Sequence, residues 1–353
     1  FIVASYSVLR RWLPLHFAFL ATLICLLHLM THFLSDLCFA EIPFALASVV
    51  FVGFNSVSLS RGHPILTGLS ATAAYLLRTA GIALFLGWIA ESLLKKDFKA
   101  AAYRLAIALV PILAWQSYIA IVETGPSYTA PAYAYQRADY LFYNTSYARN
   151  VSLRDPFGPE KGTATPSEIA DRFLANLILM PVNLGEAVSA NKEFWNKWLC
   201  QILGVKPPEV LMYVGPGFLG ILVLGGIAVQ LARGEALVPV YLLAYVAAVC
   251  LTPWPFQWMR YWAPLAPFLA LSLIVCLLAV RDYFRSMAPQ SWKFLAHGVI
   301  AGVLVAIFTV ESLTLISSYG DSHQEVNHVD RFGQQVKYRL FFYGSHSREL
   351  DQG

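Results

Sequence analysis

Residues 263–280 read Ala-Pro-Leu-Ala-Pro-Phe-Leu-Ala-Leu-Ser-Leu-Ile-Val-Cys-Leu-Leu-Ala-Val, an apolar run without a charged side chain. A helix needs about 20 apolar residues to cross the hydrocarbon core of a bilayer, and short or tilted helices are tolerated. The run therefore predicts a membrane-spanning helix, which ends where Arg281 makes the chain polar again.

Similar apolar runs occur along the whole chain, at 12–34, 42–58, 64–78, 80–94, 102–122, 210–232, 236–252 and 295–317. Hydrophobic residues make up 58% of the sequence and charged residues only 13%, whereas about 25% is usual for charged residues in soluble domains. The sequence predicts an all-α integral membrane protein, a polytopic bundle of about nine transmembrane helices by this length rule.

The positive charges predict the orientation of these spans. If the spans alternate in direction, one side of the membrane receives Arg10, Arg11, Arg61, Lys95, Lys96, Lys99, Arg104, Arg233, Arg281, Arg285 and Lys293. Short loops rich in Lys and Arg stay cytoplasmic. The opposite, external side then receives 35–41, the junction at Arg78, 123–209, 253–262 and the tail.

We divide the chain into four parts. These are an N-terminal bundle of about five spans (1–122), an external region (123–209), a C-terminal bundle of about four spans (210–317) and a polar external tail (318–353). The external region is expected to contain short helices. Thr165-Pro166-Ser167-Glu168 has the form of a capping box, and Asn191 is placed to cap an amphipathic helix in the headgroup plane.

Composition excludes several classes of protein. The net charge of +4 is small, and no basic stripe indicates a nucleic-acid partner. No phosphate-binding Gly-rich loop, nucleophile elbow or zinc motif is present. Cys25, Cys250 and Cys276 lie in apolar runs and are interpreted as small buried hydrophobic residues. A disulfide between Cys38 and Cys200 is an open alternative, since both fall on the predicted external side.

No metal site is predicted. His16, His28 and His32 lack a carboxylate or Cys at ligand spacing, apart from Asp36 four residues after His32. The simpler interpretation of these histidines is a polar position inside the bundle.

Ionisable residues beside the membrane are the candidate functional residues, because they are costly there. Asp36 and Glu41 lie at the external start of the second span. They are either helix-start carboxylates favoured by the helix dipole or acidic groups that take part in catalysis.

Two arginines lie in the short external segments, where positive charge is scarce. Arg78 separates two apolar runs, and Arg260 precedes Tyr261 in a stretch rich in Trp. Arg78 either extends to lipid headgroups or contacts a phosphate, whose oxygens match the guanidinium fork. Arg260 and Tyr261 either belong to an aromatic belt or hold a phosphate or sugar.

Three segments together resemble the GT-C glycosyltransferases that use polyprenyl-phosphate-linked sugars, the superfamily of the protein O-mannosyltransferases and the aminoarabinose transferase. They are the stretch with Ser35, Asp36, Glu41 and Phe44; the Gly-rich helix from Gly68 to Leu77-Arg78-Thr79-Ala80-Gly81, followed by Lys95-Lys96; and Arg260-Tyr261 with Pro264 and Pro267. The resemblance covers roughly 12–317 of the chain.

The resemblance implies sugar transfer on the periplasmic or lumenal side, in bacteria at the inner membrane, to a protein, lipid or glycan acceptor. Asp36 and Glu41 match an acidic position, and Arg78, Arg260 and Tyr261 match donor-phosphate positions. No cofactor is required by these motifs, and a divalent cation is left open.

The family's principal base lies on an earlier external loop that is absent here. The chain begins Phe1-Ile2-Val3 without Met or a signal peptide, so we expect it to start within a longer protein.

Two alternatives stay open. A transporter or lipid flippase would have broken helices and charged residues near the midplane of the membrane. A non-catalytic membrane scaffold would need neither. The glycosyltransferase hypothesis differs from both because it expects Arg78, Arg260 and an acidic partner to meet in one external site.

Overall fold

The computed structural model describes residues 1–36, 39–61, 64–126, 151–155, 159–204, 208–253, 258–287, 290–322, 325–329 and 335–339. The N-terminal half contains α1 (Ile2–Leu9), α2 (Leu15–Leu27), α3 (Leu29–Asp36), α4 (Glu41–Arg61), α5 (Pro64–Leu77), α6 (Ile82–Leu94) and α7 (Phe98–Thr124). A 3-10 turn, Thr79–Gly81, joins α5 to α6.

The remaining helices are α8 (Pro166–Ile178), α9 (Met180–Glu186), α10 (Lys192–Leu203), α11 (Leu211–Ala232), α12 (Leu237–Cys250), α13 (Trp258–Trp262), α14 (Ala266–Met287) and α15 (Gln290–Ser322). Short 3-10 turns occupy Pro159–Lys161 and Ala263–Leu265. An antiparallel hairpin of β1 (Glu325–Val329) and β2 (Gln335–Arg339) follows, with Glu325 opposite Arg339. Apart from this hairpin, all regular structure in the described part of the chain is helical.

Four described helices are long and apolar enough to cross a membrane: Phe98–Thr124, Leu211–Ala232, Met259–Ser286 and His297–Gly320. The pair Leu15–Leu27 and Leu29–Ser35, bent by 59°, makes a fifth if it counts as one span. Shorter apolar helices occupy Glu41–Asn55, Pro64–Leu77, Thr79–Leu94 and Leu237–Cys250. Every predicted apolar run thus coincides with a helix, so the helical fold is confirmed. The count of about nine spans stays a prediction.

The bundle is built around α14. Its most apolar stretch is 83% buried, and α2, α11 and α15 pack against it. In contrast, the apolar stretch of α7 is only 6% buried, although its hydropathy is similar. A helix that is apolar on every side is expected either in a core or against lipid. The tertiary structure places α14 in the core and gives α7 an exposed apolar surface suited to lipid.

Helix α9 belongs to the core, although the sequence places it within the external region. Its residues Met180, Leu184 and Gly185 are buried, and it packs along α11. A Cβ atom at Gly185 would overlap the backbone of Pro216, and one at Gly220 would overlap the backbone of Pro181. The two helices approach this closely only because both positions are glycine.

The expected capping motifs are present. Thr165 accepts the backbone N–H of Glu168 and Glu168 accepts that of Thr165, which completes the capping box of α8. Asn191 Oδ1 accepts the N–H of Phe194 at 3.1 Å and caps α10. Both helices have one apolar face, and Ile178 and Ile202 are about four-fifths exposed. This pattern is typical of helices that lie on a membrane surface.

Candidate functional site

The candidate site forms where α4 begins. Glu41 is the first residue of α4 and its side chain is fully buried. An acidic residue in the first turn is favoured by the positive end of the helix dipole. Full burial, however, requires partners for the charge, and two arginines supply them.

Arg78 and Arg260 reach Glu41 from distant parts of the chain. Arg78 Nη1 donates to Glu41 Oε1 at 2.7 Å, and Arg260 Nε donates to the same oxygen. Arg78 has extended backbone (φ −149°, ψ 132°), which ends α5 and aims the side chain at α4. Arg260 lies on α13, just before the chain enters α14. The site therefore joins three elements that are far apart in sequence.

Aromatic side chains hold both guanidinium groups. The Arg78 guanidinium lies 5.3 Å from the ring centre of Tyr261, and that of Arg260 lies 4.3 Å from the ring centre of Phe39. Such contacts contribute roughly 0.5–2 kcal/mol each, depending on desolvation. The Tyr245 hydroxyl donates to the carbonyl oxygen of Tyr261 at 3.0 Å. The arginines are thus fixed on their apolar side while part of each stays accessible.

The side chains of Arg78 and Arg260 are 18% and 34% exposed. Glu41 has no exposed side-chain surface, and its Oε2 has no hydrogen-bond partner among the described residues. Among the described side chains, two guanidinium groups face one carboxylate, which leaves one cation in excess. A partly exposed pair of guanidinium groups with excess positive charge can bind an anion, and phosphate suits their fork geometry.

The structure therefore brings together Glu41, Arg78, Arg260 and Tyr261. Asp36 is the last residue of α3, but its side chain lies outside the described part of the structure, as do residues 37–38 and 254–257, which border the cluster in sequence. Cys38, and with it the alternative pairing with Cys200, is outside this part as well. Among the described residues, no three His, Cys, Asp or Glu side chains are grouped so that they could hold a metal.

Sequence analysis missed the roles of Phe39 and Tyr245. Tyr245 lies inside an apolar run, where a Tyr is an ordinary core residue, and nothing local indicates that its hydroxyl supports Tyr261. The stacking of Phe44 on Tyr245, with ring centres 6.3 Å apart, extends the same aromatic layer below Glu41. For Phe39 the available signal is its position two residues before Glu41, whereas no signal in the sequence indicates the role of Tyr245.

A second charged cluster lies further along α4. Glu91 accepts hydrogen bonds from Asn55, Lys95 and Arg104 at 2.9–3.0 Å, and Trp88 Nε1 donates to Asn55 Oδ1 at 2.8 Å. Glu41 and Asn55 are separated by roughly 20 Å along the helix axis. The sequence indicates only the local Glu91–Lys95 pair, whereas the fold adds partners from α4 and α7.

A cavity of about 520 Å³ opens beside this second cluster. Its lining includes Arg11, Trp12, Asn55, Glu91 and Gln230. It lies near the loops that the positive charges assign to the cytoplasm, and so at the other end of α4 from Glu41. Glu91 is neutralised there by Lys95 and Arg104, and the cavity lies on the side opposite to the resemblance, so the Glu41 cluster is the candidate functional site.

No protein-family model, no curated protein and no solved structure matches this chain.

Proposed function

We propose that this protein is an integral membrane glycosyltransferase. It moves a sugar from a polyprenyl-phosphate donor to a protein, lipid or glycan acceptor on the periplasmic side of a bacterial inner membrane. The single observation that supports this proposal is the meeting of Arg78 and Arg260 on the buried Glu41. These two arginines, with the acidic stretch at 35–41, are also the residues that carry the resemblance to the GT-C glycosyltransferases.

The arginines stabilise the leaving phosphate. When the bond between the sugar and the phosphate breaks, negative charge grows on the phosphate oxygens, and fixed cations lower the energy of that state. Glu41 keeps two guanidinium groups close to each other in spite of their repulsion. Because their orientation is set before the donor binds, little reorganisation is needed during the reaction.

Glu41 positions the arginines and does not serve as the base. Its carboxylate is enclosed and accepts from both guanidinium groups, so it is neither free nor accessible to an acceptor hydroxyl. The acceptor proton instead passes to Asp36 or to the carboxylate that the GT-C family carries on an earlier external loop. Proton removal by such a group is general-base catalysis.

Binding of the lipid phosphate tests the proposal without knowledge of the acceptor. The purified protein in detergent is incubated with undecaprenyl phosphate, and the bound lipid is measured by native mass spectrometry. Arg78→Ala and Arg260→Ala are expected to lower retention at least tenfold, the loss expected when a charge-assisted hydrogen bond to phosphate is removed. Arg233→Ala is the matched control, since Arg233 is exposed on a predicted cytoplasmic loop.

Undecaprenol, which lacks the phosphate, should bind much more weakly to the wild type and equally to all variants. Equal retention of undecaprenyl phosphate by the wild type and both arginine variants overturns the proposal. The second assay measures transfer of the radiolabelled sugar from its polyprenyl-phosphate donor to acceptors in a membrane extract. Arg260→Ala should abolish this transfer.

One observation favours the alternative of a transporter or flippase. Helices α2 and α3 form a bent pair, and broken helices are typical of transporter binding sites. Uptake of a solute, or translocation of a labelled polyprenyl phosphate, by proteoliposomes in the absence of sugar transfer would decide for this second function.

A further inference from the structure

Several buried polar atoms near the break between α2 and α3 have no hydrogen-bond partner among the described residues. They are Nδ1 of His28 at the break, Oγ1 of Thr31 on α3, both carboxylate oxygens of Glu311 and Oγ1 of Thr314 on α15. Each of these residues is less than 9% exposed. Buried polar atoms normally have hydrogen-bond partners, and each exception requires an explanation.

These atoms belong to helices that touch one another. Helix α15 packs against both α2 and α3. Cys25, one turn before His28, lies within electrostatic range of Glu311. Thr314 follows Glu311 by three residues, and residues at that spacing lie on the same helix face. The unpartnered groups of α15 therefore face the break in the α2–α3 pair.

The set consists mainly of hydrogen-bond acceptors. His28 Nε2 lies 3.2 Å from the carbonyl oxygen of Glu186. A carbonyl oxygen only accepts, so Nε2 carries the hydrogen, and in the neutral ring Nδ1 is left as an acceptor. The Glu311 carboxylate also only accepts when it is ionised. A buried carboxylate with further acceptors on the helices packed against it requires a positively charged partner.

The break itself adds negative potential. Helix α2 ends at Leu27 and the chain turns by 59° before α3, so the negative end of the α2 dipole lies inside the bundle. The Leu26 carbonyl at the break accepts from His32 Nε2 at 2.6 Å. The end of a half-helix beside a carboxylate is the kind of place where membrane proteins bind alkali cations.

We propose that Glu311, Thr314 and Thr31 bind a small alkali-metal cation, sodium or potassium, at the break between α2 and α3. One carboxylate balances one positive charge, which matches a monovalent ion. The ligands are hard oxygen atoms, and among the described residues no three His, Cys, Asp or Glu side chains form a group that suits a transition metal. His28 Nδ1 accepts from a water on the ion. This site shares no residue with the Glu41 cluster and does not depend on the proposed sugar transfer.

Thermal unfolding of the purified full chain tests the site. Its midpoint is followed by tryptophan fluorescence in sodium, potassium or choline chloride at constant ionic strength. Choline carries the same charge but is much larger than either alkali ion, so it serves as the control cation. We expect a saturable rise of several degrees with sodium or potassium over choline, because a ligand that binds only the folded state stabilises it. Glu311→Gln should remove this rise.

Thr314→Val provides a second variant in case Glu311→Gln does not fold, and it should raise the cation concentration for half-maximal stabilisation at least fivefold. Thr22→Val is its matched control. Thr22 is also a buried helical threonine, but its hydroxyl donates to the Ala18 carbonyl at 2.8 Å, so the response should be unchanged. Equal midpoints for the wild type in all three salts overturn the proposal, as does a cation response that persists in both Glu311→Gln and Thr314→Val.

Discussion

Arg260 donates from Nε to Oε1 of Glu41, and this oxygen also accepts from Arg78, whereas Oε2 of the same carboxylate has no partner among the described residues. The carboxylate thus connects α4 with α13 and with the α5–α6 junction. Loss of either arginine would leave one ion pair in place. Loss of the carboxylate would remove both at once.

Glu41→Gln is therefore expected to destabilise the protein by about 3 kcal/mol, because it leaves two partly buried guanidinium groups without their counter-ion. Thermal unfolding in detergent measures this effect. Glu193→Gln is the control, since the Glu193 side chain is 62% exposed and its ion pair is with Lys192, and it should change stability by less than about 0.5 kcal/mol. Equal effects of the two substitutions would contradict a structural role for Glu41.

The close contact between α9 and α11 gives a steric prediction. Gly220→Ala should cost about 3 kcal/mol or more, because its Cβ would overlap the backbone of Pro181 and neither helix can yield cheaply. Gly217→Ala lies one turn earlier on the same helix, and its Cβ would meet only Val182 Cγ2 at 3.8 Å. It should be neutral or slightly stabilising, since Ala favours helix formation over Gly.

The unfolding midpoints of the two glycine variants are measured side by side. Both variants gain the helix propensity of Ala, so a difference between them reports the steric overlap at position 220. If Gly220→Ala is as stable as Gly217→Ala, α9 does not lie against α11 as described.

Arg104 and Lys95 both pair with Glu91, but their substitutions are expected to differ in their cost to stability. Arg104→Ala is expected to cost about 2 kcal/mol, because Arg104 is 19% exposed and donates to both Glu91 Oε2 and the Trp88 carbonyl. Lys95→Ala removes a bond of the same 2.9 Å length from a side chain that is 42% exposed. It should cost less than about 1 kcal/mol, as surface pairs usually do. The reverse order in unfolding midpoints would refute this ranking.

The start of α8 should depend on pH. Hydrogen bonds from the backbone N–H and hydroxyl of Thr165 lower the pKa of Glu168, with Arg154 contributing less. Because the pKa of Glu168 is depressed in the folded state, the stabilisation by its ionised carboxylate is fully present above the ordinary Glu pKa. It is lost as the pH falls through the depressed value. Hydrogen exchange at residues 167–170 should therefore be faster at pH 3 than at pH 7, after correction for intrinsic rates.

Thr165→Ala should weaken this helix start by about 1 kcal/mol at pH 7, the usual value of an N-cap. The start of α10, capped by Asn191, serves as an internal control and should keep its protection in this variant. Unchanged exchange at 167–170 in Thr165→Ala would count against the capping box.

The positions of the helices were predictable from the sequence, while the burial of each helix was not. Apolar runs of sufficient length give a helix wherever they occur, because an isolated backbone in lipid must satisfy its own hydrogen bonds. Hydropathy, however, treats α7 and α14 alike, and only packing distinguishes the exposed apolar helix from the central one. Likewise, the 178–186 stretch is too short to indicate that α9 enters the core.

Residue types and the side of the membrane were sufficient to single out Glu41, Arg78, Arg260 and Tyr261 as candidates. The sequence by itself determined that these charged groups are costly beside lipid, since that cost depends only on side-chain chemistry and on neighbouring apolar residues. Which groups meet was decided by the tertiary structure alone. Ion pairing requires contact within about 4 Å, and contacts between Glu41 and Arg260, or among α2, α3 and α15, arise only when distant helices pack together.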